Sequence, residues 1–231
     1  MANILVTGAN RGIGLGLVQR YLKQGHAVIA TCRNIDTSPE LSKLSLQYSK
    51  LRIQLLDVND ESSIIDLGHC LTTLQMTLDM LINNAGISIM EPFEQWSIDA
   101  FEQSMRTNCI GPALLVQNLI KQCNTHAKII NFTSGVASMS HASNSLQHSL
   151  DAYAVSKTAL NMLTIRLASY LAERDISCYA LNPGWVQTQM GGPKADDSVE
   201  QVVEKLVPLI EGLKREQSGQ FINIDGEILA W

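Results

Sequence analysis

The strongest constraint on how this chain folds is the alternation of short apolar runs with segments of helical spacing along its whole length. Apolar runs that read as strands lie at 4–6, 27–32, 51–58, 128–134 and 220–224, and others open the stretches 78–86 and 176–184. Helical spacing fills 12–25, 62–74, 97–122, 151–173 and 199–213, the third of these despite Gly111-Pro112. Strands separated by helices imply right-handed crossovers and a parallel sheet. The pattern predicts an α/β fold: one Rossmann-type doubly wound parallel sheet of about seven strands, with about six helices on its two faces. No linker, composition shift or internal repeat divides the chain, so residues 1–231 read as a single domain.

In a doubly wound sheet, ligands bind beyond the carboxyl ends of the strands. The residues that follow each predicted strand are Gly8-Ala9-Asn10-Arg11-Gly12-Ile13-Gly14, Arg33, Asp57, Asn83-Asn84-Ala85-Gly86, Ser134 and Pro183-Gly184. Glycine-rich or polar groups thus recur at one rim. Gly8 permits a tight turn, and Gly12 and Gly14 let backbone approach a pyrophosphate at a helix N-terminus. An ordinary βα turn would also tolerate three glycines; the position after the first strand favours dinucleotide binding. NAD enzymes commonly carry an acid after the second strand to hold the ribose 2′-OH. Here the residues are Thr31-Cys32-Arg33, and Arg11 adds a second cation. Two guanidiniums and no acid suit a 2′-phosphate and hence NADP(H), the missing acid being the stronger part of the argument, since two solvent-facing surface charges would read the same.

Tyr153 and Lys157 stand four residues apart at the start of a long helix, which puts them on one face. Moving a tyrosine from pKa ~10 toward neutrality costs roughly 4 kcal/mol. An ammonium about 4–5 Å away supplies roughly 3–4 kcal/mol at an effective dielectric near 20. The pair therefore suits proton exchange, although an exposed helix-face pair has the same spacing. Ser134 ends the fifth strand, where its hydroxyl can donate to a carbonyl oxygen. No GxSxG elbow and no Gly-Lys-Ser/Thr follow the strands, which disfavours hydrolase and P-loop chemistry.

Composition excludes other classes. The 231 residues carry 17 Lys+Arg against 22 Asp+Glu, a net charge of −5 with no basic block, so nucleic acid is not an expected partner. The most apolar stretch, 107–120, holds two Asn, a Gln, a Gly and a Pro, so no membrane span is expected. The N-terminal MANILVTGAN lacks the features of a secretory leader. Cys32, Cys70, Cys109, Cys123 and Cys178 are odd in number and form no CxxC pair; they are expected as buried free thiols in the cytoplasm. The five histidines show no ligand spacing, so no metal is expected.

TGANRGIG at 7–14, Asp57, NNAG at 83–86, Asn108, Ser134, YxxxK at 153–157 and PG at 183–184 resemble, in order, the short-chain dehydrogenase/reductase family. ATCRN at 30–34, NPGWVQTQMGG at 182–192, Ile210-Glu211-Gly212-Leu213, SGQFINIDGE at 218–227 and Trp231 resemble its C-factor and sniffer-type carbonyl reductase branch. The resemblance implies that Tyr153 exchanges the proton, Lys157 lowers its pKa and binds the nicotinamide ribose, and Ser134 orients the carbonyl. Asn108 would hold a water by bending its helix. Asp57 and Val58 would meet the adenine, Asn84, Ala85 and Gly86 the adjoining ribose and backbone, and Thr188 the carboxamide. Gly8, Asn10, Arg11, Gly12, Ile13, Gly14, Arg33, Pro183, Gly184 and Val186 complete the cofactor set, and Asn83 would tie strands together.

The implied activity is NADPH-dependent reduction of an aldehyde, ketone or quinone. A pteridine-type reductase, or an NADP(H)-binding signalling protein with little catalysis, fits the same residues. The extra segment 138–150, with His141 and His148, is expected to loop over the pocket. The short segment after Gly184 suggests an open pocket. Gln189 stands where relatives often have Asp. Met162, Ile165 and Tyr170 offer a second apolar stripe on the long helix, which a homodimer or homotetramer would cover.

Overall fold

The computed structural model describes residues 1–140 and 149–231. The expectation for 141–148, with His141 and His148, lies outside the described residues. Seven strands form one parallel sheet in the order β3-β2-β1-β4-β5-β6-β7. They are β1 (Asn3–Val6), β2 (Ala27–Cys32), β3 (Leu51–Leu55), β4 (Leu78–Asn83), β5 (Cys123–Phe132), β6 (Ser177–Asn182) and β7 (Phe221–Asn223). The helices are α1 (Gly12–Lys23), α2 (Pro39–Gln47), α3 (Glu61–Thr73), α4 (Ile98–Met105), α5 (Gly111–Leu119), α6 (Asp151–Leu171) and α7 (Val199–Gly212). Strand order reverses between β1 and β4, so the exits of those two strands diverge and leave a crevice.

The central strands are buried on both sheet faces, which is why β2 reads as an almost unbroken apolar run, whereas the edge strand β3 is half-exposed and carries Arg52 and Gln54. Side chains alternate between two cores. Ile4, Val6, Ile130 and Phe132 join one core with Leu17 and Tyr21 of α1 and Leu206 and Ile210 of α7. Leu5 and Ile129 join the other with Leu67 and Leu71 of α3 and Leu115 and Leu119 of α5. Between β4 and β5 the core is polar, and two of its amides are linked in a chain that leaves Asn83 Oδ1 without a partner among the described residues. Asn83 Nδ2 donates to Asn131 Oδ1 at 2.8 Å, and Asn131 Nδ2 donates to Thr164 Oγ1 at 2.9 Å. This is the strand-tying role expected of Asn83.

Several boundaries differ from the sequence reading. Helix α2 was not expected; only Leu41 of its residues is fully buried, so its apolar period is weak. Pro39 fixes φ at its first turn. Strand β5 begins at Cys123 instead of 128, because Cys123 pairs with Leu78 across a register shift that leaves no alternating pattern before Lys128. The expected helix over 97–122 is α4, a wider turn over Arg106–Ile110 and then α5. The five cysteines are free, but only Cys32 and Cys178, inside strands, are buried. Cys70, Cys109 and Cys123 are half-buried because they lie on helix flanks and at a strand start. Among the described residues no helix is long and apolar enough to cross a membrane.

Candidate active site

The glycine loop is locked against the exit of β4. Thr7 Oγ1 accepts the N–H groups of Asn84 and Ala85, each at 3.0 Å. The Asn84 side-chain amide donates back to Thr7 O at 2.7 Å and Gly8 O at 3.1 Å. Gly8 has φ +61°, and a Cβ there would lie 3.0 Å from Ala85 Cα. A Cβ on Gly14 would lie 2.5 Å from Asn84 Nδ2 and 2.6 Å from Gly8 O. The two loops thus approach more closely than side chains allow. Thr7 was read only as the start of the glycine motif, and its hydroxyl proves to be the joint.

α1 starts without an acidic residue in its first turn and without a side-chain cap, since Arg11 at the N-cap makes none. Its first N–H groups and its dipole are therefore left for an anion. Asn10 and Ile13 flank this start. Arg33, the residue after β2, is exposed and has no hydrogen-bond or ion-pair partner among the described residues. Arg11 is exposed and donates to Gln189 Oε1. Asp57 is half-buried, and its carboxylate accepts Asn59 N–H at 2.9 Å. Val58 is 9% exposed and packs beneath Gly111, whose Cβ would meet Val58 O at 2.8 Å.

The turn over Arg106–Ile110 is a single π-helical turn that turns Asn108 inward. Its amide is fully buried and fully used. Oδ1 accepts Ile87 N–H at 2.9 Å, while Nδ2 donates to Ile87 O and to Ser156 Oγ, each at 2.9 Å. Ser156 Oγ donates to Tyr153 O at 2.7 Å. Asn108 thereby joins the β4 exit to the first turns of α6. A local irregularity at Asn108 is implied by the resemblance, and here it is this π turn; the amide itself holds backbone and Ser156. Ser156 carried no signal in the sequence, being one serine among many.

Lys157 is 5% exposed, and its ammonium donates to Phe132 O at 2.7 Å. It lies 5.7 Å from the centroid of the Tyr153 ring. Burial pulls its pKa down to about 8, against a weaker upward pull from Cys109. Burial pushes the Tyr153 phenol up, and its hydrogen bond with Ser134 offsets part of that. This differs from the expected lowering of Tyr153 by Lys157. Removal of the phenol from water is the dominant influence. Besides that bond with Tyr153, Ser134 Oγ takes a long contact of 3.5 Å from Val136 N–H at the start of the short turn Gly135–Ala137. A Cβ on Gly86 would lie 3.1 Å from Asn108 Oδ1 and 3.5 Å from Lys157 Nζ. Gly86, Asn108, Lys157, Tyr153 and Ser134 therefore gather in one place.

The exit of β6 closes the crevice from the far side. Gly184 turns with φ +79° after Pro183, and Val186 is buried and bridges to Asp197. Thr188 Oγ1 accepts Gly191 N–H at 3.0 Å, and its methyl lies 3.2 Å from where a Gly12 Cβ would stand. Gln189, to which the sequence assigned no consequence, reaches Arg11 from this loop. α7 resumes at Val199, so the segment between is as short as expected.

Residues 2–199 match the family described as short chain dehydrogenase. The short chain dehydrogenase gsfK of Penicillium aethiopicum is 32% identical over 253 residues, covering 100% of this chain and 99% of that one. The norsolorinic acid ketoreductase of Aspergillus parasiticus is 29% identical, covering 98% of this chain and 90% of its own. Among solved structures, an NADPH-bound carbonyl reductase from chicken fatty liver superposes with a TM-score of 0.94 at 34% identity, over 100% of this chain and 99% of that one. The carbonyl reductase Sniffer of D. melanogaster gives 0.93 at 30% identity, over 100% of both chains.

Proposed function

The chain belongs to the short-chain dehydrogenase family, and from that premise we propose that it is an NADPH-dependent carbonyl reductase acting on aldehydes, ketones or quinones. The observation that carries the reading is the gathering of Ser134, Tyr153, Lys157 and Asn108 beside Gly86, next to a glycine loop that no side chain could fill. The residues fit the cofactor. The uncapped start of α1, with Gly8, Asn10, Arg11, Gly12, Ile13 and Gly14, would hold the pyrophosphate. Arg33, with Arg11, would hold the 2′-phosphate. Asp57 and Val58 would border the adenine, Asn84, Ala85 and Gly86 the ribose through backbone, and Pro183, Gly184, Val186 and Thr188 the nicotinamide.

Bound NADPH supplies the hydride. The chain supplies orientation and the proton. Ser134 donates a hydrogen bond to the carbonyl oxygen and holds the carbonyl in place. Tyr153 gives its hydroxyl proton to that oxygen as charge develops on it. Lys157 places a positive charge beside the resulting phenolate and so favours proton release. Asn108 holds Ile87 and Ser156, which sets the first turns of α6 and hence the direction of Tyr153.

This reading includes a single domain over residues 1–231, a cytoplasmic location and a homodimer or homotetramer. The free thiols support the location. Exposed Met162 and Tyr170 on α6 support assembly. A purely NADP(H)-binding signalling protein would have no need of Ser134 at the end of β5, which favours catalysis.

The test is NADPH consumption, followed by absorbance, against a panel of aldehydes, ketones and quinones. Wild type turns over several of them. Tyr153→Phe binds NADPH with near-normal affinity and loses about 10²–10⁴-fold in kcat, the usual range for a general acid. A wild-type chain that binds NADPH and consumes none with any of them would overturn the reading.

A further inference from the structure

After β7 the chain turns back at Asp225-Gly226 and runs alongside the edge strand. Gly226 N–H donates to Asn223 O at 2.8 Å, Asn223 N–H to Glu227 O at 2.8 Å, and Leu229 N–H to Phe221 O at 2.8 Å. Ile228 bridges antiparallel to Ile222. The Trp231 ring then stacks on Phe221, with centroids 5.6 Å apart and planes 22° from parallel. Phe221 is fully buried, so the indole is fixed to the core.

The backbone so fixed grips a second segment. Ser138 Oγ donates to Ala230 O at 2.7 Å. Ser140 donates to Trp231 O twice, from its N–H at 2.8 Å and its Oγ at 2.7 Å. Residues 138–140 follow Ser134 by one short turn, closed by Ala137 N–H to Ser134 O at 3.0 Å and Ser138 N–H to Gly135 O at 3.2 Å. From the other side Thr158, the neighbour of Lys157, donates its hydroxyl to Ala137 O at 3.0 Å. The turn bearing Ser134 is clasped between α6 and the strand that returns along β7. Ser134 Oγ bonds across the crevice with Tyr153, while within its own turn it takes the long 3.5 Å contact from Val136 N–H.

We infer that residues 228–231 are a positioning strap for Ser134, with the Trp231 indole as its anchor. The inference rests on the reductase reading above. The strap fixes the far end of a turn whose near end presents the hydroxyl to the carbonyl. Besides its bond to Phe221, its three hydrogen bonds to other parts of the chain reach 138–140 among the described residues, and the glycine loop and the exits of β2 and β4 are held by other bonds. Carbonyl handling and cofactor binding should therefore respond differently when the anchor is removed.

The experiment compares wild type, Trp231→Ala, Trp231→Phe and Ser140→Ala. In Trp231→Ala the carbonyl KM rises about fivefold to tenfold and kcat falls severalfold, while the NADPH Kd stays within about twofold. Amide hydrogen exchange quickens across 135–140 and not across 8–14. Ser140→Ala shows the same pattern more weakly. Trp231→Phe, which keeps a ring on Phe221, returns kinetics and exchange toward wild type. A variant that melts earlier yet keeps wild-type KM, kcat and exchange over 135–140 would overturn the strap. So would an NADPH affinity that falls in step with the carbonyl KM. Exchange and NADPH titration need no turnover, so a wild-type chain without activity would refute the reductase reading and leave the strap to be decided by exchange.

Discussion

Lys157 carries its charge where water scarcely reaches it, and that has a measurable cost. Its pKa in the folded chain is about 8, against 10.5 for an unburied lysine. Below pH 8 both folded and unfolded chains hold the proton, and the whole desolvation penalty weighs on the fold. Between pH 8 and 10.5 the unfolded chain binds more protons, so stability rises with pH as the penalty is relieved. The gap corresponds to about 3 kcal/mol. Lys157→Met is accordingly expected to be more stable than wild type near pH 7 without cofactor. Its advantage should shrink as pH climbs through 8 toward 10.5, read by denaturant melts at each pH. An advantage that stayed constant over that window would contradict the assignment. At the other end of the crevice, Arg33 stands without a partner among the described residues. Arg33→Ala should lose about 2 kcal/mol of NADPH affinity, the scale of a charge-assisted hydrogen bond, and leave NADH affinity unchanged. Titration of both cofactors decides it, and equal losses for the two would remove the 2′-phosphate from the argument.

Among the elements, the close approach of α1 to the β4 exit gives a sharp contrast between glycines. Gly14→Ala would place a methyl 2.5 Å from Asn84 Nδ2 and 2.6 Å from Gly8 O, in loops that their own hydrogen bonds hold in place. Overpacking of that kind costs about 1–3 kcal/mol, and the shifted loop should also weaken NADPH binding. Gly212, the last residue of α7, has nothing within 4 Å of a Cβ. Gly212→Ala should instead stabilise the chain by up to about 1 kcal/mol through helix propensity. Thermal melts of the two variants should move in opposite directions.

The same scale explains what the sequence revealed. Strands β1 and β2 and helix α7 were legible nearly to the residue, because runs such as AVIATC are apolar on both faces and glycines or polar residues bound them. Helix α2 was not, since a helix that buries one leucine has little period to detect. The turn over Arg106–Ile110 was legible through the family resemblance and not through spacing, because one extra residue per turn leaves helical spacing almost intact. At the site, residue types with distinctive chemistry at strand ends were found. Thr7, Ser156 and Gln189 were not, since each works through hydrogen bonds to partners that the fold brings near from distant parts of the chain.

For the whole molecule, the outer face of α6 poses the question of assembly. Val155, Met162 and Tyr170 are 50%, 55% and 64% exposed, spaced about two turns apart along one side. Ile165, grouped with them in the sequence, instead lines a groove of about 350 Å³ with Ala168, Ala172 and Arg215. Arg166 lies 5.0 Å over the Tyr170 ring and covers part of that face. A two-fold partner would cover the rest. Light scattering at micromolar concentration should give a dimer or tetramer, and Met162→Asp should shift it to monomer with NADPH binding intact. Monomeric wild type would defeat this.

Parallel strands impose one further consequence. Every strand of the sheet leaves toward the crevice, so every helix-to-strand return falls at the opposite end of the molecule. Those returns include Gly25, which has open space around it, and the exposed Leu74 followed by Gln75 at φ +51°. None of the residues assigned to cofactor or carbonyl lies there. The protein therefore offers a handle for attachment. A tether, reporter peptide or inserted domain placed between Leu74 and Gln75 would hang from the end away from the crevice, and the enzyme could be fixed to a surface with its mouth facing solution.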